Sequence, residues 1–247
     1  MHRLVRYAMI ASLLAAAAAW WMKDEMPLAE TLHADLFTEP KQVRVSRPPI
    51  DTSVNGVDYR IQPRYSYDMR ALVVSLHDSD TWWDYAHKAW NDNVNVVDLC
   101  VVWGENAQSG IYHYMDFWND QWTCSFSGKS REAWDAFDIT AASNNHMVTD
   151  DPAVAKRLRA VHVGDQIRVL GYLVDYTTYV KGREMGKRIS SEVRTDTGNG
   201  ACEVLYIESF DVIKANGRGW RLALKMALGA LLLSVIAWMF LPVKLND

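Results

Sequence analysis

Two long apolar runs stand near the ends of the chain, and a region of alternating apolar and polar positions lies between them. Residues 7–22 (YAMIASLLAAAAAWWM) carry no charge, follow Arg3 and Arg6 and precede Lys23-Asp24-Glu25, which is the layout of a signal peptide or signal anchor. Residues 226–243, with residues 222–224 added, reach the length of a spanning helix, and Trp220 and Trp238 fall near its ends. In the middle, residues 161–176 alternate as a strand does: Ile167, Val169, Gly171 and Leu173 share one face, and Arg168, Leu170, Tyr172, Val174 and Tyr176 the other. Residues 200–213 alternate in the same way if a small irregularity shifts their phase near Ser209. These two runs are expected to pair.

The remaining pattern divides the chain into residues 1–22 (signal anchor or signal peptide), 23–56 (linker, with Pro40, Pro48 and Pro49), 57–215 (β-rich domain) and 220–243 (transmembrane helix). Within the domain, strands are expected over residues 59–67, bent at Pro63, and over 70–76 and 94–103. A helix over residues 81–90, capped by Ser79 or Asp80, turns Trp83, Ala86, His87 and Trp90 toward the core. Residues 104–110 read as a loop, 111–118 with 121–126 as a hairpin, and 135–139 as an addition to the sheet. Asp150 or Asp151, then Pro152 and the apolar row Val154, Leu158 and Val161, signal a second helix. Residues 181–187 read as a basic turn and residues 194–200 as a tight loop.

Composition narrows the picture in three ways. A net charge of -4 gives no global attraction to nucleic acid, so none is expected as a partner. Most of the 11 tryptophans fall between Trp82 and Trp134, which requires a dense aromatic core or an aromatic surface. Cys100, Cys124 and Cys202 contain no C-x-x-C unit, which removes a metal ribbon or thioredoxin-like centre. In an oxidising compartment Cys100 and Cys124, which flank one hairpin, are the expected pair; buried thiols are the alternative.

Four groups of residues invite chemistry. His77, Asp78 and Asp80 gather an imidazole and two carboxylates after a strand, as metal ligands or a general base require, although a helix cap uses the same residues. His146, in the polar run Ser143-Asn144-Asn145-His146, can serve a nucleophile drawn from Ser190, Ser191 or a cysteine, but no G-x-S-x-G elbow is present and local backbone bonding explains the run as well. Asp196-Thr197-Gly198 repeats the aspartic-protease tripeptide once, with polar flanks that make it a turn. Arg183, Lys187, Arg188 and Arg194 form a basic patch suited to lipid headgroups or to plain solvation. The residues assign neither a metal nor a cofactor.

Two resemblances add to this. The helix, Gly-Asp turn and strand over residues 158–174 resemble the start of an oligonucleotide/oligosaccharide-binding (OB) barrel. The fold class expected is therefore α+β: a β-rich domain, as a partly open OB-like barrel, with two short helices and flanked by two transmembrane helices. The segments LVVS (72–75), WWD (82–84), NVVDLCVVWG (95–104), WTC (122–124), SNNHM (143–147), GDQIRVLGYL (164–173) and TDTGNGACE (195–203) together resemble an uncharacterised family of membrane-anchored bacterial proteins. That resemblance covers nearly all of residues 59–213 and implies an envelope setting without a catalytic assignment.

The expected location is the bacterial inner membrane. Arg3 and Arg6 argue for an exported, periplasmic domain, while Lys214, Arg218, Arg221 and Lys225 argue for one facing the cytoplasm. The partners expected are the lipid bilayer and an envelope protein. The function expected is a membrane-tethered, non-enzymatic interaction domain, such as an accessory subunit of an envelope complex. The alternatives are a hydrolase or metal-dependent enzyme using His77, Asp78, Asp80 or His146, and a cofactor or haem chaperone, for which no cysteine-haem motif is present.

Overall fold

The computed structural model describes residues 2–196 and 201–241. In chain order the elements are α1 (His2–Met22), β1 (Lys41–Arg44), β2 (Ile50–Val54), β3 (Val57–Asp78), α2 (Ala86–Ala89), β4 (Asn95–Val102), α3 (Gly104–Ser109), β5 (Met115–Asn119), β6 (Cys124–Gly128), α4 (Arg131–Ala136), β7 (Ala142–Val148), α5 (Pro152–Leu158), β8 (Gln166–Val180), β9 (Arg183–Arg188), β10 (Glu203–Lys214) and α6 (Arg218–Met239). Two compact units result: Met1–Glu25 with Asn216–Asp247, and Met26–Ala215.

The central unit is α+β, built on a mixed sheet in the order β1-β3-β4-β7-β10-β8-β9, with β2 also on β3. Strand β3 pairs with β8 over Asp58–Leu72 and with β4 from Leu72 to Asp78, so the pairings that leave β3 toward β4 return to it from β8. Its 22 residues include the stretches expected as two strands. Pro63 lacks a donor for the ladder, and the register shifts there instead of the strand ending. Among the described residues only β7 and β10 pair in parallel; the other strand pairs in the sheet are antiparallel.

Alternation sorts the side chains as the pleat demands. Val97, Leu99 and Val101 of β4 join Met69, Ala71, Ile167, Val169, Leu205 and Phe210 in one apolar core, which α5 closes with Val154 and Leu158. Asp151 caps α5 by accepting from the Ala153 amide, and Pro152 occupies its first turn. Cys100 and Val102 take the opposite face of β4 and pack with Leu36, Tyr112 and Phe137 under β5 and β6. Strand β10 changes register against β8 between Ile207 and Ser209, the irregularity its sequence requires.

Several expectations differ from the structure. Residues 23–56, expected as a linker, contain β1 and β2, because their backbone pairs with the long outer reach of β3. The helix expected over 81–90 shrinks to α2: the Ser79 hydroxyl bonds the carbonyls of Asn95 and Val96 and so is spent on β4 instead of a cap. Trp83 and Trp90, expected in the core, are exposed, whereas Ala86 and His87 are buried. Residues 104–110 form α3 with Gly110 in the left-handed cap, and Arg131–Ala136 is helical with Ser130 as its cap. Residues 143–146, read as a polar cluster ahead of the second helix, belong to buried β7. Residues 183–187 of the expected basic turn belong to a strand, β9, which runs on to Arg188. The Thr197 and Gly198 of the protease-like tripeptide lie outside the described residues.

In the terminal unit, α1 and α6 are each long and apolar enough to cross a membrane. Arg221 donates two bonds to Asp24 Oδ1, at 2.8 and 2.9 Å, and Asn216 donates to the Glu25 carbonyl at 2.7 Å. Gly217 (φ 60°) is required at this junction, since a Cβ there would lie 2.1 Å from the Lys23 carbonyl oxygen.

A comparable constraint operates at Gly171, where a Cβ would stand 2.0 Å from the Tyr206 carbonyl oxygen, backbone that cannot swing aside. Gly171→Ala is expected to destabilise the protein by about 3 kcal/mol. Urea denaturation of the full chain in mild detergent measures this; an unchanged midpoint contradicts the close β8–β10 approach.

Candidate functional site

The register of three strands lines up three ionisable residues. His77 of β3 is the Cα partner of Asp98 on β4, and Asp98 is the partner of His146 on β7. The register shift between Val73 and Ser75 sets the phase that places His77 in this row. Asp98 shares the face of Cys100, outside the apolar core, and is 1% exposed. His146 Nδ1 lies 2.6 Å from Asp98 Oδ1, which fixes the tautomer: Nδ1 carries a proton donated to the carboxylate, and Nε2 points onward.

The onward direction holds a thiol. Cys202 directly precedes β10, whose parallel pairing sets Val204 beside His146. By alternation Cys202 therefore emerges on the His146 side of the sheet, and the two side chains come close enough to shift each other's titration. Asn144 donates to Cys202 Sγ at 3.3 Å and to the Trp122 carbonyl at 3.0 Å. Burial works against a thiolate, but His146 and the Asn144 amide outweigh it, so the thiol titrates below its ordinary value. Burial likewise works against charge on His146; Asp98 and Cys202 overcome it, and its pKa rises to about 9 although Arg188 pulls downward.

These groups open into a cleft of about 960 Å³. Arg188 Nη1 is 3.0 Å from His146 Nε2, and its guanidinium lies 4.0 Å from the centre of the Trp122 ring. The opposite face of Trp122 stacks on His87 at 4.1 Å. Tyr85 and Trp90 form the exposed rim. A disulfide between Cys100 and Cys124 (Cα to Cα 5.6 Å) fastens the β5–β6 hairpin to β4 two residues from Asp98, and the turn of that hairpin carries Trp122.

Behind the cleft runs a second hydrogen-bonded group. Asp84 Oδ2 accepts from His77 Nε2 and His87 Nδ1, both at 2.6 Å. His87 Nε2 then accepts from Asn95 Nδ2 at 2.9 Å, and the other Asn95 proton reaches Asp98 Oδ1 at 2.9 Å. Burial raises the Asp84 pKa, but the bonds from the two histidines lower it by more, leaving the carboxyl below its ordinary value. His77, Asp84 and His87 have donor atoms within 4.8 Å of one another, close enough to reach one cation. Their 2.6 Å contacts are hydrogen-bond spacings, whereas tetrahedral ligands with bonds of about 2.0–2.1 Å stand about 3.3 Å apart. The trio as built satisfies itself through protons.

Of the residues singled out in the sequence, His77 and His146 belong to this connected group. Asp78 and Asp80 do not: Asp78 Oδ1 accepts from the Asp80 amide at 3.0 Å and from Arg159 at 3.3 Å, and Asp80 is exposed. Ser190 and Ser191 are spent on the backbone and on Asp196. Asp98 and the Asp84-x-x-His87 pair escaped the sequence reading, which had Asn144 only as part of the polar run, Arg188 only as part of a basic patch, and a cysteine partner for His146 without singling out Cys202. No family model matches this chain, and no curated protein or solved structure matches it.

Glu203, next to the thiol, points the other way, partnered with Asn145 on the inner face and 4% exposed. Burial raises its pKa; its own backbone bond opposes this, Cys202 and Asp196 add to it, Arg194 lowers it, and the result is about 8. Unfolding returns the carboxyl to the ordinary 4.5, so the native state binds the extra proton between these values and stability falls as pH rises through that window. His146, at about 9 against an ordinary 6.5, acts with the same sign, but only above about pH 6.5. Urea midpoints between about pH 5 and 6.5 therefore isolate Glu203. Stability is expected to decline across that interval, and Glu203→Gln to flatten the decline; an equal slope in both proteins contradicts the assignment.

Proposed function

We propose that this chain is a membrane-tethered enzyme in which Cys202 is the nucleophile of an acyl transfer or hydrolysis, His146 its base and Asp98 the group that orients His146. The observation that carries the reading is the alignment of Asp98, His146 and Cys202 from the floor of β4 and β7 into an open cleft. His146 Nε2 takes the thiol proton, Sγ attacks an acyl carbon, and the C–S bond forms as the carbonyl π pair moves onto oxygen. Arg188 supplies positive charge beside that oxygen, and Asn144 holds the sulfur. The intermediate expels an amine or alcohol, which takes the proton from His146 Nε2 and leaves a thioester. Water then attacks the thioester carbon as His146 accepts its proton; the C–S bond breaks, the carboxylic acid departs, and the sulfur takes the proton back from His146.

We further read the central unit as an OB-type barrel. In support, five strands pair in a circuit, β3-β4-β7-β10-β8 and back to β3, with α5 between β7 and β8. The Cys100–Cys124 bond supports an oxidising compartment, hence a periplasmic domain held at the inner membrane by α1 and α6. A second reading, a non-enzymatic interaction domain, is favoured by the exposed Trp82 and Tyr85, 91% and 73% accessible.

With the other two cysteines bonded, Cys202 is the free thiol, so iodoacetamide modification maps to one position. The alkylation rate is expected to reach its plateau at a pH below that of an ordinary thiol. His146→Gln should shift the profile upward and slow the reaction at pH 7 by at least about tenfold. A slow thiol with an ordinary profile sinks the enzyme reading and leaves the interaction domain. Alkylation unaffected by EDTA, with turnover of acyl esters lost on chelation, favours the metal-dependent alternative.

A further inference from the structure

Of the charged groups lining the cleft that the acyl chemistry does not use, Asp92 is buried, whereas Asp120 and Lys187 are exposed. Asp92, just after α2, lines the cleft and is 5% exposed. Its Oδ2 accepts from the Tyr176 hydroxyl at 2.7 Å, while its Oδ1 has no hydrogen-bond partner among the described residues. A buried carboxylate oxygen without a donor is costly, and such an atom in the wall of a binding cleft marks a place for a ligand's donor. Arg188 does not fill it, since its Nε stands 3.9 Å from Oδ2, beyond a hydrogen bond.

Arg188 also links Asp92 to the thiol site. Its Nη1 meets His146 and its Nε approaches Asp92, so the carboxylate and the reacting imidazole are separated by one guanidinium. The rim residues Tyr85 and Trp90 present aromatic surface to the same space, which suits an ammonium and its flanking side chain.

We propose that the cleft recognises acyl substrates bearing a free amino group, an aminoacyl or short amino-terminal peptide group, with the ammonium held by Asp92 Oδ1 and the carbonyl delivered to Cys202. This deepens the thiol-enzyme reading and rests on it. The chemistry is unchanged: the amine is bound, not consumed, and the leaving group departs with the proton from His146.

The test compares two affinity reagents on the full chain in detergent, alanine chloromethyl ketone and its N-acetyl derivative, with Cys202 modification followed by mass spectrometry. The free-amine reagent is expected to react about tenfold faster than the acetylated one. Asp92→Asn should bring that ratio close to one, and because each protein supplies its own ratio, a partial loss of folded protein does not alter the comparison. Equal rates in the wild type, or faster reaction of the acetylated reagent, overturn the proposal while normal iodoacetamide reactivity leaves the thiol enzyme standing. Where Cys202 proves unreactive to every reagent, the enzyme reading falls instead. Calorimetric binding of alaninamide against N-acetylalaninamide to Cys202→Ser then decides amine recognition by itself: preference for alaninamide supports it, and no preference overturns it.

Discussion

The pairing of Asp98 with His146 across β4 and β7 is the constraint from which the rest of the site follows. A carboxylate that is 1% exposed must be matched by donors or remain protonated. His146 Nδ1 and Asn95 Nδ2 supply those donors, and both approach the same oxygen. The match also locks the register. Sliding β4 by one residue would turn Asp98 into the core now filled by Val97, Leu99 and Val101, and Val97 toward the histidines. Alignment of the strands and construction of the site are therefore one event.

The donors have a direction, and it is set from outside the sheet. Asn95 can give both amide protons away only because His87 Nε2 accepts one of them. His87 Nε2 is an acceptor because Nδ1 donates to Asp84, and Asp84 is held in turn by His77. Reversal at any of these positions would leave Asp98 facing a lone pair in place of a proton. The segment between β3 and β4, whose tryptophans lie on the surface, thus earns its place by carrying Asp84 and His87 over the site. The disulfide holds the other half of the cover, so that Trp122 sits between His87 and Arg188.

Much of the framework could be read from the sequence because it rests on local signals. The cap and first turn of α5, the alternation of β8, the phase shift in β10 and the two apolar terminal runs all appear in short windows. The site was less legible because it is assembled by register between distant strands. Asp98 stands in the apolar run VVDLCVV, and a charge there was a visible sign that something must face it. Nothing local identified His146 as its partner, since 48 residues separate them and only the β4–β7 ladder joins them. Asp84 and His87 were hidden for the converse reason: their spacing resembles one face of a helix, yet Ser79 is committed to β4 and most of that helix never forms.

The beginning of β10 shows how one strand serves the cleft and the core together. Adjacent side chains leave a pleated strand on opposite faces, so Cys202 enters the cleft and Glu203 enters the interior beside Asn145. They remain electrostatic neighbours, and negative charge on the sulfur makes ionisation of the buried acid still less favourable. Across the neutral range the arrangement therefore favours one anion at this point of the chain, and the histidine determines which. His146 and the Asn144 amide both favour the anion at Cys202, while Glu203 Oε2 has no partner among the described residues. The thiol is the group equipped to carry the charge, and the neutral acid behind it keeps a second anion from competing for the same electrostatic support.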